Sequence, residues 1–282
     1  MKISEDKVLA IQNNLFYRSR EIITEYNTFP WHNHHGIIDT DKVNASQAIA
    51  IDFWGCLNSS KYKNELINVY FDAVGDDWSI DLEYTKPELL FEPVSTQIDV
   101  LLKSTAKVIF IESKFTEKGG SCYQASKKKC NGNYKLQENP ENGIINKCSL
   151  TGKKIKYWNY IDNITDFKKD LEYLPCPFKG MEYQWMRNIC FAKAYSEKHN
   201  GIKYETYLFY YDSPKCHISK LVHNDNYLGS LKDKLKVTFK AKSYNDYISF
   251  CINYLKLKDT SEMNVWIELK EWMIEKERRL LK

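Results

Sequence analysis

The amino-acid sequence predicts an α/β protein with a central mixed β-sheet flanked by helices, plus a long insertion rich in cysteine and lysine. Apolar residues recur at helical spacing towards both ends of the chain, and short apolar runs rich in β-branched residues lie between them. A segment with several turn dipeptides and little periodicity interrupts this pattern. Of the 282 residues, 43% are hydrophobic and 14% are aromatic, which is typical of a packed globular protein rather than a disordered one.

The first part of the chain, residues 1–75, is predicted to be helical. Apolar spacing over residues 7–26 indicates a helix that ends before Pro30, because proline disfavours helix in the residue before it. The segments ASQAIAIDFWGCL and KNELINVYFDAV indicate two further helices, and the first of these begins the predicted core.

Three consecutive strands are predicted next, over ELLFEPV (88–94), TQIDVLLK (96–103) and KVIFIESKF (107–115). Their composition is that of buried strands, and small connections separate them. The third strand should be central in the sheet, because its apolar run is unbroken.

A helix over KGMEYQWMRNICFAKAYSEKH and an aromatic strand over YETYLFYYD complete the predicted core. After residue 75 the chain therefore divides into three regions. These are core segments 76–115 and 179–212, the insertion 116–178, and a mostly helical C-terminal extension, 213–282.

Positive charge is concentrated in the insertion. Nine lysines and two glutamates fall within residues 118–160, a local excess of seven positive charges, whereas the whole chain carries a formal charge of +4. Tyrosine and tryptophan are interleaved with these lysines, a combination that suits phosphate contact and base stacking. A solvated lysine face is the alternative. The lysines expected to contact nucleic acid are Lys127, Lys128, Lys129, Lys153 and Lys154.

Three charged residues stand at the ends of two predicted strands: Asp99 on one, and Glu112 and Lys114 on the next. Side chains alternate across a strand, so pairing of these strands would bring Asp99 within reach of Glu112. Two carboxylates and the backbone carbonyl of Ser113 make an all-oxygen site suited to Mg²⁺ or Mn²⁺. With Lys114 beside it to orient and activate water, such a site would serve phosphodiester hydrolysis. A structural salt bridge is the alternative.

Asp99, followed after twelve residues by Glu112-Ser113-Lys114 at the end of an apolar strand, resembles the motif of the PD-(D/E)xK nuclease superfamily. More narrowly, the segments SQAIAIDFWGCL, FEPVSTQID, IESKFTE and EYQWMRN resemble a group of restriction-endonuclease-like bacterial proteins, over about residues 32–212. The resemblance implies a restriction-endonuclease-like core and a Mg²⁺-dependent endonuclease that hydrolyses DNA. It also implies a role in restriction, phage defence or DNA processing.

Four further side chains are expected near the catalytic residues. Many relatives supply a glutamate from the first core helix, where this sequence has Gln47. A third carboxylate could come from Glu92, on the preceding predicted strand, or from Glu65, and we favour Gln47 and Glu92 as accessory residues. The resemblance implies a position near the active site for Gln184, and Arg187 on the same helix could hold a phosphate. Each of these roles has a structural alternative. Gln47 could make a polar contact at the helix N-terminus, Glu92 could be a charge on an edge strand, and Gln184 and Arg187 could lie on a solvated helix face.

Four cysteines fall within the insertion, and some nucleases of the superfamily bind an iron–sulfur cluster through cysteine. Four thiolates could hold such a cluster or Zn²⁺ and so support the folding of this polar segment. Their spacing is irregular and contains no CxxC, so buried or reduced thiols are the alternative. The proposed ligands are Cys122, Cys130, Cys148 and Cys176, with Cys190 as a substitute.

The sequence also predicts a compartment and partners. It begins without an apolar signal segment and has no apolar stretch long enough to cross a membrane, so we expect a soluble, cytoplasmic protein. DNA is the expected partner, and a homodimer would suit cleavage of both strands. The same residues could serve a nuclease that acts on RNA or branched DNA, and a non-catalytic nucleic-acid-binding module is a further alternative.

The string His32-Asn33-His34 resembles the name-giving residues of the HNH nucleases, but the following GIIDTDKVN does not fit that motif. These histidines are therefore expected to line a surface loop. Contact with phosphate or metal is the minor alternative.

Overall fold

The structure is a computed structural model that describes residues 3–122, 150, 153–166, 183–224, 228 and 232–280. Its strands are β1 (Asn33–His34), β2 (Ile37–Ile38), β3 (Ser79–Thr85), β4 (Gln97–Lys103), β5 (Lys107–Lys114), β6 (Lys203–Tyr210) and β7 (Phe239–Ser243). The last five form one sheet in chain order, and the first two form a small hairpin.

The sheet is mixed, as predicted. Strands β3, β4 and β5 pair antiparallel, which short connections allow, whereas β5, β6 and β7 pair parallel. A parallel pair needs a crossover, and a long helix covers the crossover from β5 to β6. The protein thus has the α/β class and the flanked central sheet that the sequence predicts.

The helices before the sheet's second strand are α1 (Glu5–Asn13), α2 (Ser46–Ser59), α3 (Lys63–Phe71) and α4 (Pro87–Leu90), with a 3₁₀ helix at Tyr17–Ile22. Later helices are α5 (Tyr157–Ile164), α6 (Tyr183–Lys198), α7 (His217–Val222), α8 (Tyr244–Leu255) and α9 (Thr260–Arg279). None of the helices in the described ranges combines the length and the apolar character that a membrane span requires.

Helices cover both faces of the sheet. On one face, Phe191 of α6 contacts Phe110 of β5, with 6.1 Å between ring centroids. On the other face, Trp54 of α2 lies edge-on to Phe209 of β6 at 5.2 Å. Because side chains alternate along a strand, Glu112 lies on the same face as Phe110, under α6.

The predicted strand over residues 88–94 is wrong. Pro87 begins the short helix α4, a position where its missing amide hydrogen costs nothing, and Phe91 ends that helix with a left-handed backbone. The first strand of the sheet is instead β3, whose sequence SIDLEYT alternates apolar and polar residues.

The predicted N-terminal helix over residues 7–26 is also shorter than expected. Helix α1 ends at Asn13, and a 3₁₀ helix follows. The side chain of Asn14 donates to the carbonyls of Thr40 and Lys42, and Asp52 of α2 accepts from the amide of Phe16. Contacts distant in sequence thus replace the next turns of the helix.

Two segments judged polar contribute to the fold. Strand β7 lies in the lysine-rich start of the C-terminal extension, which the sequence predicts to be mostly helical, and it pairs with β6. At the end of the insertion, α5 packs against α6 and into the core. The buried hydrophobic residues of that part are Leu150, Ile155, Tyr157, Trp158, Ile161 and Ile164.

Candidate active site

Three carboxylates lie in one row across the antiparallel half of the sheet. The register of β4 and β5 sets Asp99 opposite Glu112, and the register of β3 and β4 sets Glu83 opposite Asp99. All three residues are buried, with 5% of Glu83, 8% of Asp99 and 4% of Glu112 exposed. Buried carboxylates this close together require compensating donors or cations.

Lys114 and Asn188 supply donors to this row. Nζ of Lys114 donates to one oxygen of Glu112 at 2.6 Å, and Nδ2 of Asn188 donates to the other at 2.5 Å. Asp99 accepts from the backbone amide of Ser113 at 2.7 Å. The structure therefore brings Asp99, Glu112 and Lys114 together, and α6 adds an amide that sequence reasoning did not assign.

The environment separates the pKa values of the two predicted carboxylates. Burial raises the pKa of Asp99, and the charge of Glu112 raises it further, to about 8. Burial also acts to raise the pKa of Glu112, but Lys114 outweighs it and holds that pKa below its ordinary value. Burial acts to lower the pKa of Lys114, but Glu112 and Asp99 raise it above its ordinary value. Near neutral pH, Lys114 and Glu112 are thus an ion pair beside a protonated Asp99.

Glu83 and His32 also belong to this cluster. Glu83 was not among the predicted site residues, and for His32 contact with a metal was only the minor alternative to a surface loop. Nε2 of His32 lies 3.1 Å from Oε2 of Glu83, and the ligand atoms of His32, Glu83 and Asp99 all lie within 4.8 Å of one another. Burial acts to lower the pKa of His32, but the hydrogen bond and charge of Glu83 outweigh it and raise that pKa to about 9.

Glu83 has a left-handed backbone, with φ of 55°. Leu82 packs against the cluster that contains Ile51 of α2, whereas Tyr84 contacts Phe191 of α6 on the other face of the sheet. Residues two apart on a regular strand share a face, so the alternation breaks at Glu83. Such a conformation in a residue other than glycine costs about 1–3 kcal/mol and is found preferentially at functional sites.

One signal could have identified Glu83 from the sequence. SIDLEYT alternates apolar and polar residues between two turn signals, which is typical of a strand with one buried face. Recognition of this strand would have made its glutamate a candidate for the third carboxylate. His32 has no comparable local signal, because its role depends on contacts distant in sequence.

Gln47 holds this part of the site in position. Its Nε2 donates to Oε1 of Glu83 at 2.7 Å, and its Oε1 accepts from the backbone amide of His32 at 2.9 Å and from the Thr40 hydroxyl. Nε2 also donates to the carbonyl of Pro30. Gln47 is 2% exposed, so it contributes through Glu83 and His32 rather than by facing the solvent.

Gln184, at the start of α6, accepts a hydrogen bond from the backbone amide of Gly120 at 3.0 Å. Glu117, three residues earlier in that segment, accepts from the backbone amides of Ser46 and Phe115. The segment after β5 is therefore joined to α2 and α6. In the structure Gln184 contacts this segment rather than the carboxylate row.

Glu92 and Glu65 have partners outside the carboxylate row. Glu92 accepts from the amide and hydroxyl of Thr96 and from the hydroxyl of Tyr157. Glu65 on α3 accepts from Tyr254 and forms a salt bridge with Lys258. The third carboxylate beside Asp99 is Glu83, since the strand that precedes β4 in the sheet is β3 and not residues 88–94.

Arg187 lies one turn from Gln184 on α6. Its charge acts on Glu112, and its guanidinium carbon lies 5.8 Å from the ring centroid of Tyr183. Nε of Arg187 is buried and has no hydrogen-bond partner among the described residues. A buried donor without a partner is costly, and a phosphate oxygen would satisfy it.

Several predicted binding residues lie outside the described part of the chain: Lys127, Lys128, Lys129, Cys130, Cys148 and Cys176. Lys154 is exposed, and Lys153 is half-buried. Cys122 and Cys190 are both buried in the core, and Cys190 donates to the carbonyl of Tyr157 at 3.7 Å. Burial also raises the pKa of the Cys190 thiol well above its ordinary value.

The donor set of the carboxylate row fits a divalent cation. Asp99 and Glu112 offer oxygen ligands, and Glu83 and His32 extend the set by a carboxylate and an imidazole. The raised pKa of Asp99 reflects its burial and then the negative charge of Glu112, which Lys114 alone does not compensate. A cation beside Asp99 would compensate it, as is usual where buried carboxylates meet.

Comparison with protein families agrees with this geometry. The family model described as "Restriction Endonuclease associating with ARP" matches residues 5–261, which is most of the chain. Searches of curated proteins and of solved structures found no match. Asp99 and Glu112 are buried on adjacent inner strands of the mixed sheet, and the family match covers most of the chain: the chain belongs to this restriction-endonuclease family.

Proposed function

We propose that the protein is a Mg²⁺- or Mn²⁺-dependent endodeoxyribonuclease that hydrolyses phosphodiester bonds. One observation carries the proposal: Asp99 and Glu112 are buried side by side with Lys114 in contact with Glu112. A structural salt bridge would need only one carboxylate and the lysine. The second carboxylate is a buried acidic group whose charged form the ion pair does not compensate, and its burial would cost stability unless it serves binding or chemistry.

Asp99, Glu112 and the carbonyl of Ser113 would hold the cation. When bound, a divalent ion supplies charge neutralisation of the phosphate and lowers the pKa of water. Lys114 would orient the attacking water and stabilise its deprotonated form, since its own pKa is raised and it stays charged at neutral pH. Asn188 would keep Glu112 in one orientation through its hydrogen bond.

Arg187 would bind the phosphate next to the scissile bond. It projects from the same helix as Asn188, and its buried Nε needs an acceptor. Lys153 and Lys154, together with Lys127, Lys128 and Lys129, would contact the DNA backbone further away. Family membership favours a role in restriction or phage defence, and DNA processing is the broader alternative.

Cleavage assays test this proposal. The purified protein would be incubated with supercoiled plasmid, linear duplex, single-stranded DNA and RNA, with Mg²⁺, with Mn²⁺ and with EDTA. We expect metal-dependent cleavage of DNA, and a loss of about 10²-fold or more in Lys114→Ala and Asp99→Ala. Asp81→Ala is the matched control, because Asp81 lies on β3 with its side chain 41% exposed.

Three results would count against the assignment. Cleavage of RNA alone would make the protein a ribonuclease with the same site. Binding without cleavage under every condition would favour a non-catalytic binding module. Equal activity in the parent and in Asp99→Ala would refute the proposed metal site at Asp99. Measurement of molecular mass in solution, and of bound iron and zinc, would test the proposed homodimer and cysteine cluster.

A further inference from the structure

We propose that His32, Glu83 and Asp99 form a second metal position, which takes Mn²⁺ in preference to Mg²⁺. The position shares Asp99 with the metal site proposed above. It rests on the proposed nuclease function and adds a second metal ion to that site. Its existence can nevertheless be tested by metal binding alone. The three ligand atoms lie within 4.8 Å of one another. Ligands bound to one ion at about 2.1 Å lie at most about 4.2 Å apart, so small side-chain movements would close the site.

Hydrogen bonds hold the other two ligands, His32 and Glu83, in position in the metal-free protein. Gln47 donates to Glu83 and accepts from the backbone of His32, and Thr40 donates to Gln47. Thr40 and Gln47 are 0% and 2% exposed, which restricts their movement. A buried network of this kind fixes ligand orientation, and its loss typically weakens metal binding by 10-fold to 100-fold.

The backbone of Glu83 supports the same inference. Its left-handed φ of 55° breaks the alternation of β3 and presents the carboxylate to His32 and Gln47. A regular strand would avoid the cost of this conformation. A cation bound by both Glu83 and Asp99 would offset the conformational free energy of this backbone.

The chemistry of the ligands selects the ion. Mg²⁺ is bound in proteins mainly by oxygen and keeps several waters, whereas imidazole is a good ligand for first-row transition metals. Two carboxylates with one imidazole therefore favour Mn²⁺ over Mg²⁺, because Mn²⁺ accepts both kinds of ligand. The position formed by Asp99, Glu112 and the Ser113 carbonyl has oxygen ligands only and remains suited to Mg²⁺.

The competing interpretation is that His32 and Glu83 form an ion pair that serves the fold alone. In that case His32 would contribute to stability but not to metal affinity. The nitrogen of a bound imidazole produces a characteristic coupling in the electron spin echo spectrum of Mn²⁺. That signal reports the ligand directly, without reference to nuclease activity.

The experiment measures Mn²⁺ and Mg²⁺ binding by calorimetry and records the Mn²⁺ spin echo spectrum of the full chain. We expect imidazole nitrogen coupling in the parent, its loss in His32→Gln, and at least a 10-fold weaker Mn²⁺ affinity in that variant with Mg²⁺ affinity unchanged. His199→Gln is the matched control, because His199 stacks on Tyr195 away from the site. Circular dichroism would verify that both variants fold.

Absence of nitrogen coupling in the folded parent with Mn²⁺ bound would overturn the proposal. So would an unchanged Mn²⁺ affinity in folded His32→Gln, or an equal loss of Mn²⁺ and Mg²⁺ affinity. If the parent binds Mn²⁺ through His32 but cuts no nucleic acid, the second metal position stands and the nuclease function fails. The two proposals are therefore separable.

Discussion

Gln47 of α2 donates a hydrogen bond to Glu83 of β3 at 2.7 Å. An amide on the helix thus holds a carboxylate that comes from the strand. A carboxylate at position 47 would instead add a further negative charge beside Glu83 and Asp99. With glutamine at this position, the site buries three carboxylates rather than four.

Removal of the Gln47 amide should weaken metal binding. Gln47→Leu keeps the side-chain size but leaves the Glu83 carboxylate and the His32 amide without their partner. We expect Mn²⁺ affinity to fall by about 10-fold to 100-fold and stability to fall by about 1–3 kcal/mol. Calorimetry and urea unfolding measure the two effects. Gln97→Leu is the control, since Gln97 also donates to the Pro30 carbonyl but, within the described part of the chain, donates to no carboxylate. An equal loss in that variant would contradict the role of Gln47.

Asp99 should make the metal-free protein less stable as pH rises. Its pKa is about 8 in the folded protein and about 3.9 in an unfolded chain, so the folded state binds more protons between these values. Unfolding free energy therefore falls as pH increases from about 4 to about 8. With EDTA present, Asp99→Asn should exceed the parent in stability at pH 8 by about 3 kcal/mol or more, and this advantage should shrink towards pH 4. A pH-independent difference in urea unfolding would refute this.

The ion pair of Asp52 and Lys276 should be essential for folding. Nζ of Lys276 lies 2.5 Å from Asp52, and both side chains are 0% exposed. Lys276→Met would leave a buried carboxylate without its cation, so we expect a loss of about 3–5 kcal/mol. Thermal or urea unfolding measures it. Lys270→Met, an exposed position on the same helix, should change stability by less than about 0.5 kcal/mol. Similar effects of both substitutions would show that the pair contributes little.

Gly55 should tolerate no side chain. A Cβ atom at this position of α2 would lie 2.8 Å from Cβ of Ser19 and 2.9 Å from its Cα, and it would also overlap the Ser19 carbonyl. Alanine normally stabilises a helix relative to glycine by about 1 kcal/mol, but here Gly55→Ala should lower stability by about 1–3 kcal/mol. Asn58→Ala on the same helix is the control. A stabilised Gly55→Ala would show that the 3₁₀ helix can move aside.

The fold could be predicted where local pattern and tertiary structure agree. Helices α2 and α6 and strands β4 to β6 follow from their apolar periodicity. The prediction failed at residues 88–94, because an apolar run with proline at its edges supports a short helix as well as a strand. It missed β7 because alternating lysines on an edge strand look like a solvated segment.

The sequence by itself determined the class of the fold and the presence of Asp99, Glu112 and Lys114 at the ends of two buried strands. Strand alternation and burial are local properties, so the sequence displays them directly. Only the tertiary structure decided that Glu83 and His32 join this group and that Gln47 holds them. Strand register, a left-handed backbone and contacts between distant segments arise from packing of the whole chain, and no local pattern specifies them.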